Sequence, residues 1–274
     1  MSIIKAIILG IIEGFTEWLP ISSTGHMILA EEFMGLHKVP EFMEMFRVVI
    51  QLGAIMAVLV LFWGKLFPFS FAKGLNVKKD TFLLWVKVLI ATLPAASIGL
   101  LFDDILDEKF YNPTVVAFML ILYGIVFIIV ENQNKKRKPL VKSFDRLGYK
   151  MVLAIGAFQV LALIPGTSRS GATILGAIMI GCSREIAAEF SFYLAIPVMF
   201  GASFLKLLKF GFAFTHEEAI LLGMGMFIAF VVSIFAIKFL MGYIKRNNFK
   251  AFGYYRIVLG LIMLMYVFYG SKIF

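Results

Sequence analysis

Apolar residues run in long unbroken stretches at about 43–64, 82–102, 114–130, 187–208, 219–241 and 254–270. A helix crosses the hydrocarbon core of a bilayer with roughly 20 such residues. Each stretch therefore predicts a membrane-spanning helix, with 114–130 and 254–270 at the short end. Strands of an outer-membrane barrel would alternate with period two, and these runs do not. Two further stretches are apolar at both ends and polar in the middle. Residues 3–30 carry Glu13, Glu17, Pro20, Ser22, Ser23, Thr24, Gly25 and His26 there; residues 148–181 carry Gln159, Pro165, Gly166, Thr167, Ser168, Arg169, Ser170 and Gly171. A backbone broken at membrane depth has to be buried in protein or line a watery cavity. Each of these stretches is predicted to form two half-helices in a re-entrant hairpin.

The two broken stretches match each other. A shift of 145 places Leu19-Pro20-Ile21-Ser22-Ser23 on Ile164-Pro165-Gly166-Thr167-Ser168, and a shift of 144 places Phe46 and Gly53 on Phe190 and Pro197. Each half then continues with three apolar spans. The expected fold is an all-α polytopic membrane protein of two repeats, 1–131 and 147–274, joined by a basic linker, 132–146. With three full spans per half the second repeat is inverted, so the hairpins enter from opposite sides and their tips meet near the midplane. Transporters build central sites from such paired discontinuous helices.

Loop charge orients the chain. The linker carries Lys135, Lys136, Arg137, Lys138, Lys142 and Arg146 and is expected to be cytoplasmic. Loop 65–81 (Lys65, Lys73, Lys78, Lys79) and loop 243–253 (Lys245, Arg246, Lys250) then fall on the same side. The acidic segment 103–113 (Asp103, Asp104, Asp107, Glu108), residues 31–42 (Glu31, Glu32, Glu41), loop 209–218 and both termini fall outside.

Composition narrows the class. Of 274 residues, 61% are hydrophobic and 16% charged, which excludes an ordinary soluble domain and a disordered chain. The net charge of +9 sits in connecting loops rather than along a helix face, and no nucleic-acid motif occurs, so no nucleic-acid partner is expected. A single cysteine, Cys182, excludes an internal disulfide or a thiolate metal cluster. Ile3–Ile12 is apolar, but Glu13 and Glu17 interrupt it and no small-residue cleavage site follows, so it reads as part of the mature protein.

Candidate chemistry lies in the two breaks. Glu13 and Glu17, one helical turn apart, share a face, and two like charges in a membrane demand a cation, a proton or a basic partner. Mg²⁺ or Ca²⁺ suits carboxylate oxygens. Ser22, Ser23, Thr24 and His26 offer more hydroxyls than a helix cap needs, together with an imidazole able to act as acid, base or nucleophile. The glycine-flanked turn Gly166–Gly171 opens a helix, whose amides and the fork of Arg169 together suit a phosphate. It lacks the lysine and spacing of a Walker motif, and Arg169 could instead neutralise Glu13 or Glu17. Arg47 and Gln51 stand behind this site, and Gln159 braces its own hairpin.

The stretches Glu13–His26 (EGFTEWLPISSTGH) and Pro165–Gly171 (PGTSRSG) closely resemble the two signatures of the bacterial BacA-type undecaprenyl-diphosphate phosphatases. Trp18, where phenylalanine is usual, is the one departure in the first. The resemblance spans essentially the whole chain. It implies removal of the terminal phosphate of undecaprenyl diphosphate to give the lipid carrier of cell-wall polymers. It also implies a divalent cation, an inner-membrane site facing the outer side, membrane lipid surroundings, a homodimer in some members, and bacitracin resistance on overproduction. Residues important in that family fall on Glu13, Glu17, Ser23, His26, Ser168, Arg169 and Thr173. Ser22, Thr24, Thr167 and Ser170 join Ser168, Arg169 and Thr173 as candidate diphosphate ligands. Ser23 attacking, with His26 and a glutamate handling protons, is the favoured expectation; attack by His26 and direct attack by water remain open. A polyprenyl phosphate or ion-coupled transporter is the competing function.

Overall fold

A computed structural model describes residues 1–34, 40–70, 76–135, 137–211 and 214–269, without the side chains of Pro40, Asp103, Asp104 and Asp107. Lys73 and Lys136, used above to orient the chain, lie outside the described residues. Among the described residues the architecture is all-α but for one antiparallel pair of two-residue strands. Helices α1 (Ile3–Thr16) and α2 (Ser23–Met34) flank the first break. Then come α3 (Pro40–Val49), α4 (Gln51–Leu61), a single turn α5 (Trp63–Leu66), strands β1 (Phe69–Ser70) and β2 (Asn76–Val77), α6 (Lys79–Phe110) and α7 (Pro113–Asn134). After the linker, α8 (Tyr149–Val160) and α9 (Arg169–Met179) flank the second break, followed by α10 (Arg184–Phe210), α11 (His216–Ile244) and α12 (Lys250–Tyr269).

Among the described residues six segments are long and apolar enough to span a membrane: Glu41–Leu61, Lys79–Phe102, Pro113–Asn134, Arg184–Phe210, His216–Ile244 and Lys250–Tyr269. They coincide with the six stretches read from the sequence. The first is α3 and α4 in series; Ile50 between them keeps helical angles, and only a tightened turn, with the Gly53 amide on the Ile50 carbonyl, marks the junction. The segment 103–113 is not a loop. Residues 103–110 are the last turns of α6, because no glycine or proline interrupts the chain between Gly99 and Pro113. Tyr111 and Asn112 alone connect α6 to α7, and the Asn112 side chain caps α7 by accepting from the Val115 amide at 2.9 Å, with proline at the first helical position.

Packing interleaves the two halves of the sequence. Helix α1 lies along α11, α8 along α6, α7 along α12, and α10 against α3 and α4. Close approach explains two glycines. A Cβ on Gly10 would stand 2.8 Å from the Gly225 carbonyl oxygen of α11, and one on Gly156 2.5 Å from the Ala91 carbonyl oxygen of α6. Trp18, Phe46, Phe127, Phe190, Phe192 and Tyr193 fill the core, while Leu101, Phe118, Phe235 and Phe268 point outward, as suits a lipid-facing surface. At the linker end, buried Glu131 accepts from the Arg184 guanidinium and from the Phe249 amide, tying together α7, α10 and the start of α12.

Candidate functional site

Both breaks use the same local device. Ser22 and Ser168 adopt left-handed backbone (φ 72° and 73°), the two non-glycine residues to do so among those described. Such a conformation costs on the order of 1–3 kcal/mol and persists only where the surroundings fix it. Each serine then caps the helix that follows: Ser22 Oγ accepts from the Gly25 amide at 3.4 Å, and Ser168 Oγ from the Gly171 amide at 3.1 Å. The caps are 146 apart, not 145, as are Gly10 and Gly156, and Glu13 and Gln159. The prolines are 145 apart because the second break holds one more residue between proline and cap, where Gly166 turns with φ 91°.

The first residue of each following helix reaches one carboxylate. Ser23 Oγ donates to Glu17 Oε2 at 2.7 Å, and Arg169 Nη2 donates to Glu17 Oε1 at 3.1 Å. Glu17 is 6% exposed, so this pair is buried and depends on its geometry. Arg169 also donates through Nη1 to the Ser191 carbonyl at 2.6 Å, and its guanidinium lies 5.8 Å from the Trp18 ring centroid. Ser170 Oγ lies 3.0 Å from the Glu17 carbonyl and 3.2 Å from that of Leu19, latching the second turn onto the first. Thr173 donates to the Arg169 carbonyl at 2.9 Å and pairs with the Ser191 hydroxyl at 2.7 Å.

A cavity of about 310 Å³ opens beside this cluster, walled by Glu13, Ser23, Thr24, Met27, Glu44, Arg47, Val48, Gln51, Tyr111 and Lys206. Its rim is built where α3 begins and where α6 and α10 end, the end of the bundle opposite the basic linker. Glu13 is 1% exposed and its Oε1 has no hydrogen-bond partner among the described residues. Arg47 pairs with Glu31 at 2.7 Å and lies over the Tyr111 ring.

The structure thus brings Glu13, Glu17, Ser23, Thr24, Arg47, Gln51 and Arg169 to one place. Ser168, Ser170 and Thr173 form the turn behind them. Thr167 is wholly buried, and Gln159 donates to the Ala91 carbonyl at 3.5 Å, a brace between α8 and α6. His26 faces elsewhere. Its Nδ1 donates to the Ser22 carbonyl at 2.7 Å, which leaves neutral Nε2 to accept from the Tyr255 hydroxyl at 2.7 Å. Sequence reasoning missed Ser191, Glu44, Tyr111 and Lys206. Ser191 and Lys206 carried a signal, as isolated polar residues in the apolar stretch 187–208.

The donor set suits a hard cation of modest coordination by protein. Among the described residues no group of three or more His, Cys, Asp or Glu converges. Glu13 nevertheless offers an unpartnered buried oxygen one turn from Glu17, beside the Ser23 and Thr24 hydroxyls. Mg²⁺ is commonly held by one or two carboxylates with substrate phosphate and water completing its shell.

Six spans around a buried carboxylate, hydroxyl and arginine define a polytopic membrane protein with an intramembrane polar site. The chain belongs to the BacA family: the family model described as Bacitracin resistance protein BacA matches residues 6–262. It is 74% identical over 266 residues to the undecaprenyl-diphosphatase of Acetivibrio thermocellus, covering 97% of this chain and 98% of that one. It is 63% identical to the protein of that name from Enterococcus faecalis (96% of each chain). It is 58% identical to that of Desulfitobacterium hafniense (97% of this chain, 96% of the other).

Proposed function

We infer that the protein hydrolyses undecaprenyl diphosphate to undecaprenyl phosphate and inorganic phosphate, returning the lipid carrier to cell-wall synthesis. The observation that carries this reading is the Ser23–Glu17–Arg169 unit beside a cavity in the membrane-spanning bundle. The prenyl tail stays in lipid while the diphosphate enters the cavity. Ser23 Oγ attacks the terminal phosphorus and its proton passes to Glu17 Oε2, already 2.7 Å away. As the bond to the bridging oxygen breaks, Glu17 returns that proton to the departing undecaprenyl phosphate; water then attacks the phosphoserine, giving a proton to Glu17, which passes it to Ser23 Oγ as inorganic phosphate leaves. Arg169 spreads charge from the phosphoryl oxygens. Glu13 and Glu17 would hold Mg²⁺ or Ca²⁺, which supplies further charge neutralisation at those oxygens. The contacts of His26 favour a bracing role over attack.

One experiment tests substrate and nucleophile together. Detergent-solubilised protein given undecaprenyl diphosphate labelled in the terminal phosphate is expected to release labelled phosphate, and a chelator is expected to stop it. A rapid quench should trap label on Ser23. No phosphate release would refute the activity; acid-labile label on His26 would reverse the nucleophile, and phosphate release with no label trapped on the protein would remove the covalent route.

The chain is further read as two inverted repeats with re-entrant hairpins. In support, Lys5 Nζ donates to the Met34 carbonyl, joining the start of α1 to the end of α2, and the Leu140 and Val141 amides donate to Gly181, joining the approach to α8 with the end of α9. The common offset of 146 and the exchanged packing of α1 on α11 and α8 on α6 support the same reading. With the basic linker cytoplasmic, the cavity opens to the outer side of the inner membrane, where both termini also lie. In a Cys182→Ser background, cysteine at Thr114 should react with an impermeant thiol reagent on intact cells, and at Lys138 or Asn247 only after lysis. Cysteine at Thr24 should react slowly from outside; reaction only after lysis would reverse the opening.

A further inference from the structure

Arg256 stands in α12 with no exposed surface, inside a stretch that is otherwise almost wholly apolar. Among the described residues it forms no ion pair. Its guanidinium instead donates to main-chain carbonyls from three parts of the chain. Nη2 reaches the Gly166 oxygen at 2.8 Å and Nη1 the Pro20 oxygen at 3.2 Å; longer contacts of 3.4 Å go to Met119 and Leu120 of α7. The Tyr123 ring lies beneath it, 5.6 Å from centroid to guanidinium carbon.

Pro20 lies two residues before the cap Ser22, and Gly166 two residues before the cap Ser168. These carbonyls belong to the two breaks, where the helical ladder is interrupted and unpaired oxygens are costly at membrane depth. A planar fork with five donors can satisfy both turns and α7 at once; a lysine ammonium, with three donors at one point, cannot span them. The carbonyl dipoles and the Tyr123 face compensate the charge in place of a carboxylate.

We propose that Arg256 is a positioning residue that clamps the two broken turns to each other and to α7, fixing the distance between Ser23 and Arg169. Those two side chains both close on Glu17, and each begins the helix directly after its clamped turn. Arg256 spends its donors on backbone and does not touch the diphosphate. A misplacement near 1 Å between catalytic groups lowers rate by about 100-fold. The kinetic consequence rests on the phosphatase reading given above; the structural consequence does not.

Arg256→Gln and Arg256→Lys in nanodiscs provide the test, read by hydrogen exchange and by steady-state kinetics. Exchange should quicken at the amides of both turns, 17–25 and 164–171, with α6 and α11 unchanged. The kcat should fall about 100-fold for Arg256→Gln with KM within about three-fold, and Arg256→Lys should fall between it and the wild type. Unchanged exchange at either turn would overturn the clamp. So would a rise in KM at constant kcat, the mark of a direct substrate contact. If Arg256→Gln fails to fold, Arg256→Lys carries the same readouts, and failure of both would reassign Arg256 to folding alone. A wild-type protein that releases no phosphate would overturn the phosphatase reading while leaving the exchange result to stand or fall by itself.

Discussion

Glu17→Gln is expected to lower kcat by about 1000-fold, the order reached when a positioned general base is removed. The amide keeps the shape of the carboxylate, so Ser23 and Arg169 remain nearby and the protein should extract and melt as the wild type does. What disappears is the proton acceptor 2.7 Å from Ser23 Oγ and the negative partner 3.1 Å from Arg169 Nη2. Glu13→Gln should act differently, because Glu13 faces the cavity with an oxygen that has no hydrogen-bond partner among the described residues. Its signature should be a higher Mg²⁺ or Ca²⁺ concentration for half-maximal rate, with kcat largely recovered at saturation. Metal titration of both variants checks the division of labour. A Glu17→Gln enzyme within ten-fold of wild type would remove Glu17 from proton transfer.

Arg169→Lys is expected to lower kcat about 100-fold with little change in KM, the loss typical when a donor aimed at developing charge is removed. Charge is retained, so a simple counter-charge to Glu17 would survive this change. The planar fork is lost. Arg169 divides its two terminal nitrogens between the Ser191 carbonyl and Glu17 while its face lies on Trp18. An ammonium at the end of a flexible chain cannot hold both directions and stack. Initial rates over a substrate series distinguish the outcomes; wild-type kinetics would reduce Arg169 to a neutralising charge.

The spans were legible because membrane helices announce themselves by length, and the breaks because proline, glycine and serine cannot continue them. The end of α6 was misread since acidic residues suggested a loop, whereas Asp103–Lys109 has nothing to stop a helix. Within the site, Glu13, Glu17, Ser23 and Arg169 were visible as residue types and Arg169 as a partner of Glu13 or Glu17, but which carboxylate it meets was not visible. Spacing alone puts Glu13 beside Glu17; only tertiary packing puts Ser23 and Arg169 on either side of Glu17. His26 shows the same limit, for its partner Tyr255 is 229 residues away. Arg256 was readable as a lone charge in an apolar span, yet its targets are carbonyls, which leave no mark in a sequence.

The packing of α1 along α11 also sets a timetable for assembly. Helix α11 begins at His216, so about 200 residues must be added after α1 before its partner exists. At 5–20 residues per second that wait lasts roughly 10 to 40 s. Through most of it Glu17 also lacks Arg169, 152 residues downstream. Two unpaired carboxylates do not settle in hydrocarbon during such an interval. Glu13 and Glu17 are therefore held at the membrane surface, or protonated, until the second half of the chain arrives to receive them. The docking of α1 on α11 is among the last contacts the chain can make.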